Sequence, residues 1–198
     1  MAKVSKRDRK ASPLRVQAAR RGVASGPLTR RVGIVMGSSS DMETMMEAVG
    51  VLKEFGIGFD VDVVSAHRSP LLAQRYARNV QRKGYEIIIA GAGGAAALPG
   101  FMASLTTLPV IGVPVVDNAL GGEDALHSMV QMPGGVPVAV AGVGKVGAKN
   151  AALLAVEILA LRDSALTEKL RQYRVRLAEE VKQRAKEVRK RVLGKKGT

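Results

Sequence analysis

A chain of 198 residues, 46% hydrophobic and 24% charged, suits one globular domain with residues left over for extensions. It has no cysteine, which excludes a disulfide framework and a cysteine-rich zinc site and fits a reducing compartment. The formal charge of +14 sits at the ends: residues 1–31 carry ten Lys/Arg against one acid and residues 163–198 carry twelve against five, while the middle, 32–162, has nine against eleven. The middle therefore lacks the broad basic footprint of a polyanion-binding domain, and no apolar run approaches the length of a bilayer span.

Residues 1–30 mix Lys, Arg, Ser, Pro and Gly without apolar periodicity. Such a segment buries too little surface to offset the entropy of ordering and is expected to be a flexible basic arm. Its Arg-rich, acid-poor start also has the composition of an organelle transit peptide. A plain arm on a cytoplasmic protein is the preferred reading, and targeting stays open.

From Arg31 onward, short β-branched runs alternate with helical stretches. Val32–Met36, Phe59–Ser65, Glu86–Ala90, Val110–Val113 and Val136–Ala141 read as five strands. VGIVM and EIIIA are apolar on both faces, as parallel strands covered by helices on each side must be. After the first strand, Met42, Met45, Met46, Val49, Leu52 and Phe55 recur at helical spacing behind Asp41, which is placed to cap the helix. The expected fold is α/β: a doubly wound, flavodoxin-like, five-stranded parallel sheet in an α/β/α sandwich, over residues 31–163.

Two helices follow the last strand. Val146–Leu161 is too rich in Ala and Leu for a solvent face. In 164–198, a basic helix and tail, Leu166, Leu170, Tyr173, Leu177, Val181, Val188 and Val192 form a stripe spaced mostly by three and four. A neighbouring subunit is the expected cover for that stripe, so the chain is expected to form an oligomer.

Ligands of an open parallel sheet bind outside the carboxyl ends of its strands. The loop after the first strand, Gly37-Ser38-Ser39-Ser40-Asp41, offers amides at a helix start, three hydroxyls and a carboxylate able to accept from sugar hydroxyls. The loop after the second, Ser65-Ala66-His67-Arg68-Ser69-Pro70, sets an imidazole beside a guanidinium able to hold a phosphate by paired hydrogen bonds. The loop after the third, Gly91–Gly100, has few side chains and lets backbone approach a flat ligand.

Other features fare less well. Gly91–Ala96 and Gly142–Gly147 fit dinucleotide-binding glycine patterns, but they follow the third and fifth strands rather than the first. His127 falls within the helical stretch Glu123–Gln131 and reads as a packing or interface residue, with Glu123 and Asp124 as acids favourable at a helix start. Two separated histidines and no acid cluster point to no metal, and no organic cofactor is expected.

In order and spacing, MGSSSDMETM, VVSAHRSP, IIIAGAGGAAALPGFMAS, LPVIGVPV, HSMVQMPGGVPVA and NAALLAVEIL resemble class I of the PurE family, the N5-carboxyaminoimidazole ribonucleotide mutases of purine biosynthesis. The resemblance runs from about Arg31 to Asp163. It implies an octamer with active sites where subunits meet. It assigns Ser38, Ser40 and Asp41 to the phosphate and ribose, Ser65 and Arg68 to the phosphate, Gly91 and Ala92 to the border of the imidazole ring, and His67 to proton transfer. In the scheme implied, the carbamate loses carbon dioxide while His67 protonates the departing nitrogen. The ring carbon then captures the carbon dioxide, and His67 collects the ring proton.

Arg68 and GAGGAAALPG favour class I over the directly carboxylating class II. One departure stands out: Ala97 replaces the histidine usual in the third loop. The alternative within the family is a carboxylase acting on aminoimidazole ribonucleotide with carbon dioxide. Outside it, the alternatives are a dinucleotide-binding protein, or a nucleic-acid-binding protein using the basic ends.

Overall fold

The computed structural model describes residues 30–116 and 120–194. Of the arm expected over residues 1–30, residues 1–29 lie outside the described residues, as does the tail after Gly194, while Arg30 belongs to the first strand instead. Five parallel strands, β1 (Arg30–Met36), β2 (Gly58–Val63), β3 (Ile87–Ala92), β4 (Val110–Pro114) and β5 (Ala139–Val140), form one sheet in the order β2-β1-β3-β4-β5. The order reverses direction between β1 and β3, which is the switch point of a doubly wound sheet. Among the described residues six α-helices accompany the strands: α1 (Met42–Phe55), α2 (Pro70–Asn79), α3 (Ala97–Ala103), α4 (Glu123–Val130), α5 (Gly144–Ala160) and α6 (Ser164–Leu193).

In β1, β3 and β4 both faces are buried, and alternate residues serve different cores, while the edge strands β2 and β5 have no buried residue. Val32, Ile34, Ile87, Ile89, Ile111 and Val113 pack beneath α1 and α5. Val35, Ile88, Ala90 and Val110 face the opposite way, toward side chains of α2, α3 and α4. That two-sided burial is why β1, β3 and β4 show no polar alternation, whereas the edge strand β2 alternates Asp and Val.

Three boundaries differ from expectation. β5 shrinks to two residues, because Pro137 offers no N–H to a ladder and the strand lies at the sheet edge. The small-residue run after β3 is loop only as far as Ala96 and then becomes α3, with Pro99 in the first turn where a missing N–H does no harm. Before α1, Asp41 is not the side-chain cap. Ser38 caps a one-turn 3-10 helix, Ser39–Asp41, and the Asp41 carboxylate closes a capping box on the Ser38 amide.

The expectation for the last helix is half corrected. Its first half lies on its own domain: Leu166 and Tyr173 are buried with α1 and α5, the Tyr173 ring meets Phe55 at 5.6 Å, and the Lys169 ammonium donates to the Phe55 carbonyl at 2.8 Å. The α1–α5 layer was not yet fully covered, and α6 completes it, which explains why α5 has no exposed side from Ala151 to Ala160. From Arg174 to Gly194 every residue is exposed, including Val181, Val188 and Val192 of the stripe. Among the described residues, no helix is long and apolar enough to cross a membrane.

Candidate active site at the carboxyl rim

Parallel register brings the ends of β1, β2 and β3 level. Backbone bonds extend the alignment past the strands: Val64 donates to the Met36 carbonyl at 2.8 Å, Gly37 to the Gly91 carbonyl at 3.1 Å, and Val115 to the Ala92 carbonyl at 2.9 Å. The three loops are therefore held side by side. Between them opens a cleft of ≈ 260 Å³ lined by Gly37, Ser38, Asp41, Ser65, Ala66, His67, Arg68, Ala92, Gly93, Ala96, Ala97 and Leu98. Six of the eight residues singled out from sequence, Ser38, Asp41, Ser65, His67, Arg68 and Ala92, line this one cleft.

The other two sit just behind it. Ser40 is exposed and donates through Oγ to the Asp41 carboxylate at 3.2 Å. Gly91 is buried inside β3, where a β-carbon would come within 2.4 Å of the Met45 sulfur. The missing side chain at 91 thus lets α1 settle onto the sheet, and the cleft surface begins one residue later.

The serine turn is organised differently from a bare amide nest. The Gly37, Ser38, Ser40 and Asp41 amides already donate to Gly91 O, Asp41 Oδ2, Ser38 Oγ and Ser38 O. An anion here would meet hydroxyls and the neighbouring guanidinium more than free amides. Asp41 is the one buried charged residue among those described, at 2% exposure, held by the Ser38 amide and the Ser40 hydroxyl. A carboxylate has acceptor capacity beyond two hydrogen bonds.

The second loop is a compact turn built on Ser65. The Ser65 carbonyl accepts from the amide and hydroxyl of Ser69, both at 3.0 Å, and the Ser65 hydroxyl accepts from the Arg68 amide at 3.1 Å and Nε at 3.3 Å. Arg68 Nη2 reaches across to the Gly37 carbonyl at 2.7 Å. Pro70 then starts α2 with its fixed φ. His67, at the crest of this turn, is exposed to the cleft, and among the described residues its imidazole makes no hydrogen bond or ion pair.

The third wall is mostly backbone. Ala96, 3% exposed, holds φ 36° and ψ 40°, a left-handed conformation unfavourable for a residue with a β-carbon. It reverses the chain so that Ala97 and Leu98 open α3 against the cleft. The strain had no signature in the sequence, where an alanine run gives no hint of a left-handed position. Ala97 leaves that wall bare.

Two features fall outside the cleft. His127 is exposed on α4, with Glu123 and Asp124 in that helix's first turn. The Gly142–Gly147 pattern is accounted for by packing: a β-carbon at Gly147 would lie 2.2 Å from the Gly142 carbonyl oxygen, so the two glycines let α5 turn tightly out of β5.

Fold and cleft together define a doubly wound α/β protein with a cleft at the switch point of the sheet, where such folds bind their ligands. The chain belongs to the AIR carboxylase family, whose model matches residues 31–180. It is 52% identical over 155 residues to the N5-carboxyaminoimidazole ribonucleotide mutase of Pyrococcus horikoshii, covering 78% of this chain and 86% of that one. It is 56% identical over 139 residues to the mutase of the same name from Aquifex aeolicus, covering 70% and 82%. The crystal structure of Treponema denticola PurE superposes with a TM-score of 0.70 at 29% identity, covering 78% of this chain and 95% of that one.

Proposed function

We infer that this chain is a purine-biosynthesis isomerase that converts N5-carboxyaminoimidazole ribonucleotide to 4-carboxyaminoimidazole ribonucleotide. The observation that carries the reading is the convergence of His67, Arg68 and the serine turn on one cleft, in a chain half identical to mutases over most of their length. Arg68 and the Ser38, Ser40 and Ser65 hydroxyls take the phosphate, and Asp41 accepts from the ribose. The ring lies on the backbone of Ala92 and Gly93, just past the buried Gly91.

His67 is the acid/base. As the N–CO2 bond breaks, it gives its proton to the departing nitrogen. As the ring carbon bonds to carbon dioxide, it takes the proton that carbon must lose, so the imidazolium is restored and no net proton is consumed. Carbon dioxide binds weakly, and holding it beside the nucleophile within walls of Gly and Ala is where proximity contributes most. A single carrier suffices, because the two transfers occur in turn.

The reading includes a cytoplasmic homo-oligomer, an octamer by family resemblance, with residues 31–163 as the catalytic unit and α6 as an appended helix. Half-exposed Met42 and Met46 on α1 and exposed Val61 and Val63 on the edge strand β2 support a subunit contact beside the serine turn. Light scattering on the purified chain tests it; a monomer at micromolar concentration would refute it. The direct-carboxylase reading separates in one assay. The mutase forms product from the carbamate nucleotide without added bicarbonate, and product from aminoimidazole ribonucleotide alone at high bicarbonate would refute the mutase.

A further inference from the structure

The chemistry above makes no use of the charge at the two ends of the chain, and the fold sets the start of β1 beside the start of α6. Arg31, the first residue past the basic arm, pairs with Glu86 and, at 3.5 Å, with Asp163. Asp163 is the cap of α6, accepting from the Ala165 and Leu166 amides. Arg31 and the start of α6 therefore meet at one corner, at the amino end of the sheet, while the cleft lies at the carboxyl end.

Along α6 the cations divide into two sets. Lys169, Arg174 and Arg176 are engaged by the domain, through the Phe55 carbonyl, Glu157 and Glu54. Past Leu177, Lys182 and Arg184 have only local partners, Glu179 and Glu180. Lys186, Arg189, Lys190 and Arg191 make no ion pair among the described residues, and Glu187 is the single acid among residues 181–193.

We propose that the distal half of α6, from Lys182 to Arg191, is a second binding surface, outside the active-site cleft, that takes the phosphodiester backbone of a nucleic acid. Three occupants compete for such a helix, and the arrangement of charge separates them. An interfacial membrane helix keeps its cations on one face and large apolar residues on the other. Here Arg184 lies three residues from Val181 and four from Val188, and Arg191 three from Val188, so cations intrude on the valine line. A second copy of the helix would set like charges against like. A phosphate backbone neutralises cations on every side of an exposed rod, and each contact releases a counterion.

No aromatic residue follows Tyr173, so bases have nothing to stack on and the binding carries no sequence preference. Affinity should then come from charge alone. With four or more phosphate contacts, it falls by about a hundredfold between about 50 and 200 mM salt. The surface is independent of the mutase reading, since none of its residues touches the cleft.

The test is fluorescence anisotropy of a labelled single-stranded RNA and a DNA of the same sequence, titrated with the full chain at low and moderate salt. The triple substitution Lys186→Glu, Arg189→Glu and Lys190→Glu should weaken binding by about tenfold or more at low salt, as each lost phosphate contact removes a counterion-release contribution. Its turnover and melting should match the parent, which shows that the fold is intact. Vesicles containing phosphatidylglycerol should bind less tightly than nucleic acid. No binding by the parent, unchanged affinity in the triple variant, binding insensitive to salt, or a preference for the vesicles would each overturn the proposal.

Discussion

Arg68 donates from Nη2 to the carbonyl of Gly37 at 2.7 Å, so the loop that carries the histidine is tied to the turn that carries the serines. The same side chain rests its Nε on Ser65, two residues before His67 in its own loop. One guanidinium thus ties the two loops together, with N–H groups left for an anion.

Replacing Arg68 with Ala should raise KM more than it lowers kcat. Charged hydrogen bonds of this kind contribute about 1.5–3 kcal/mol, or roughly ten- to a hundredfold in KM. Arg68→Lys should recover only part of the loss, because an ammonium cannot hold Ser65, Gly37 and a phosphate in one plane. Steady-state kinetics on the two variants checks this, and full recovery by lysine would show that only charge matters.

Gly91→Ala should destabilise the fold by about 1–3 kcal/mol, the usual cost of an extra methyl in a packed core. The new carbon would fall 2.4 Å from the sulfur of Met45, which is fully buried, so that side chain must repack within the core. Denaturant unfolding measures the loss. Activity should fall as well, since α1 and the serine turn at its start must shift together.

Ala96→Gly should do the opposite to stability. Relief of the left-handed conformation is worth about 1 kcal/mol, less what glycine adds to the entropy of the unfolded chain. The gain should come with a lower kcat, because the strained alanine fixes the wall formed by Ala97 and Leu98. Melting and turnover measured on one preparation test both halves.

Glu43 and Lys145 join the starts of α1 and α5 across the protein surface. The hydrogen bond and charge of Lys145 lower the Glu43 pKa, and those of Glu43 raise that of Lys145. The carboxylate's contribution to stability is present above its unfolded pKa and lost as pH falls through the depressed folded value. The ammonium's is complete below its unfolded pKa and lost as pH rises through the raised one. Lys145→Ala should move the Glu43 titration, followed by NMR, up toward that of a free glutamate.

Much of this molecule was legible before its fold. Two-sided apolar runs gave the parallel sheet, and the rule that ligands sit past the carboxyl ends of strands pointed to three loops that do form one cleft. What stayed hidden depends on contacts distant in sequence. The first half of α6 finds Phe55 and Glu54 more than a hundred residues away, so its amphipathic stripe alone could not say whose surface it covers. Ser38 rather than Asp41 is the side-chain cap, because a 3-10 turn intervenes before α1. Ala97 was visible as a departure; that it forms a wall of the cleft was not.

His67→Asn tests the central claim most directly. Asparagine keeps a polar side chain of similar reach and removes the exchangeable imidazole proton. The purified variant should bind the carbamate nucleotide with affinity close to that of the parent and show no conversion to the ring-carboxylated product. Turnover retained within about tenfold of the parent, against the roughly 10²–10⁴-fold that general acid–base catalysis supplies, would contradict proton transfer by His67.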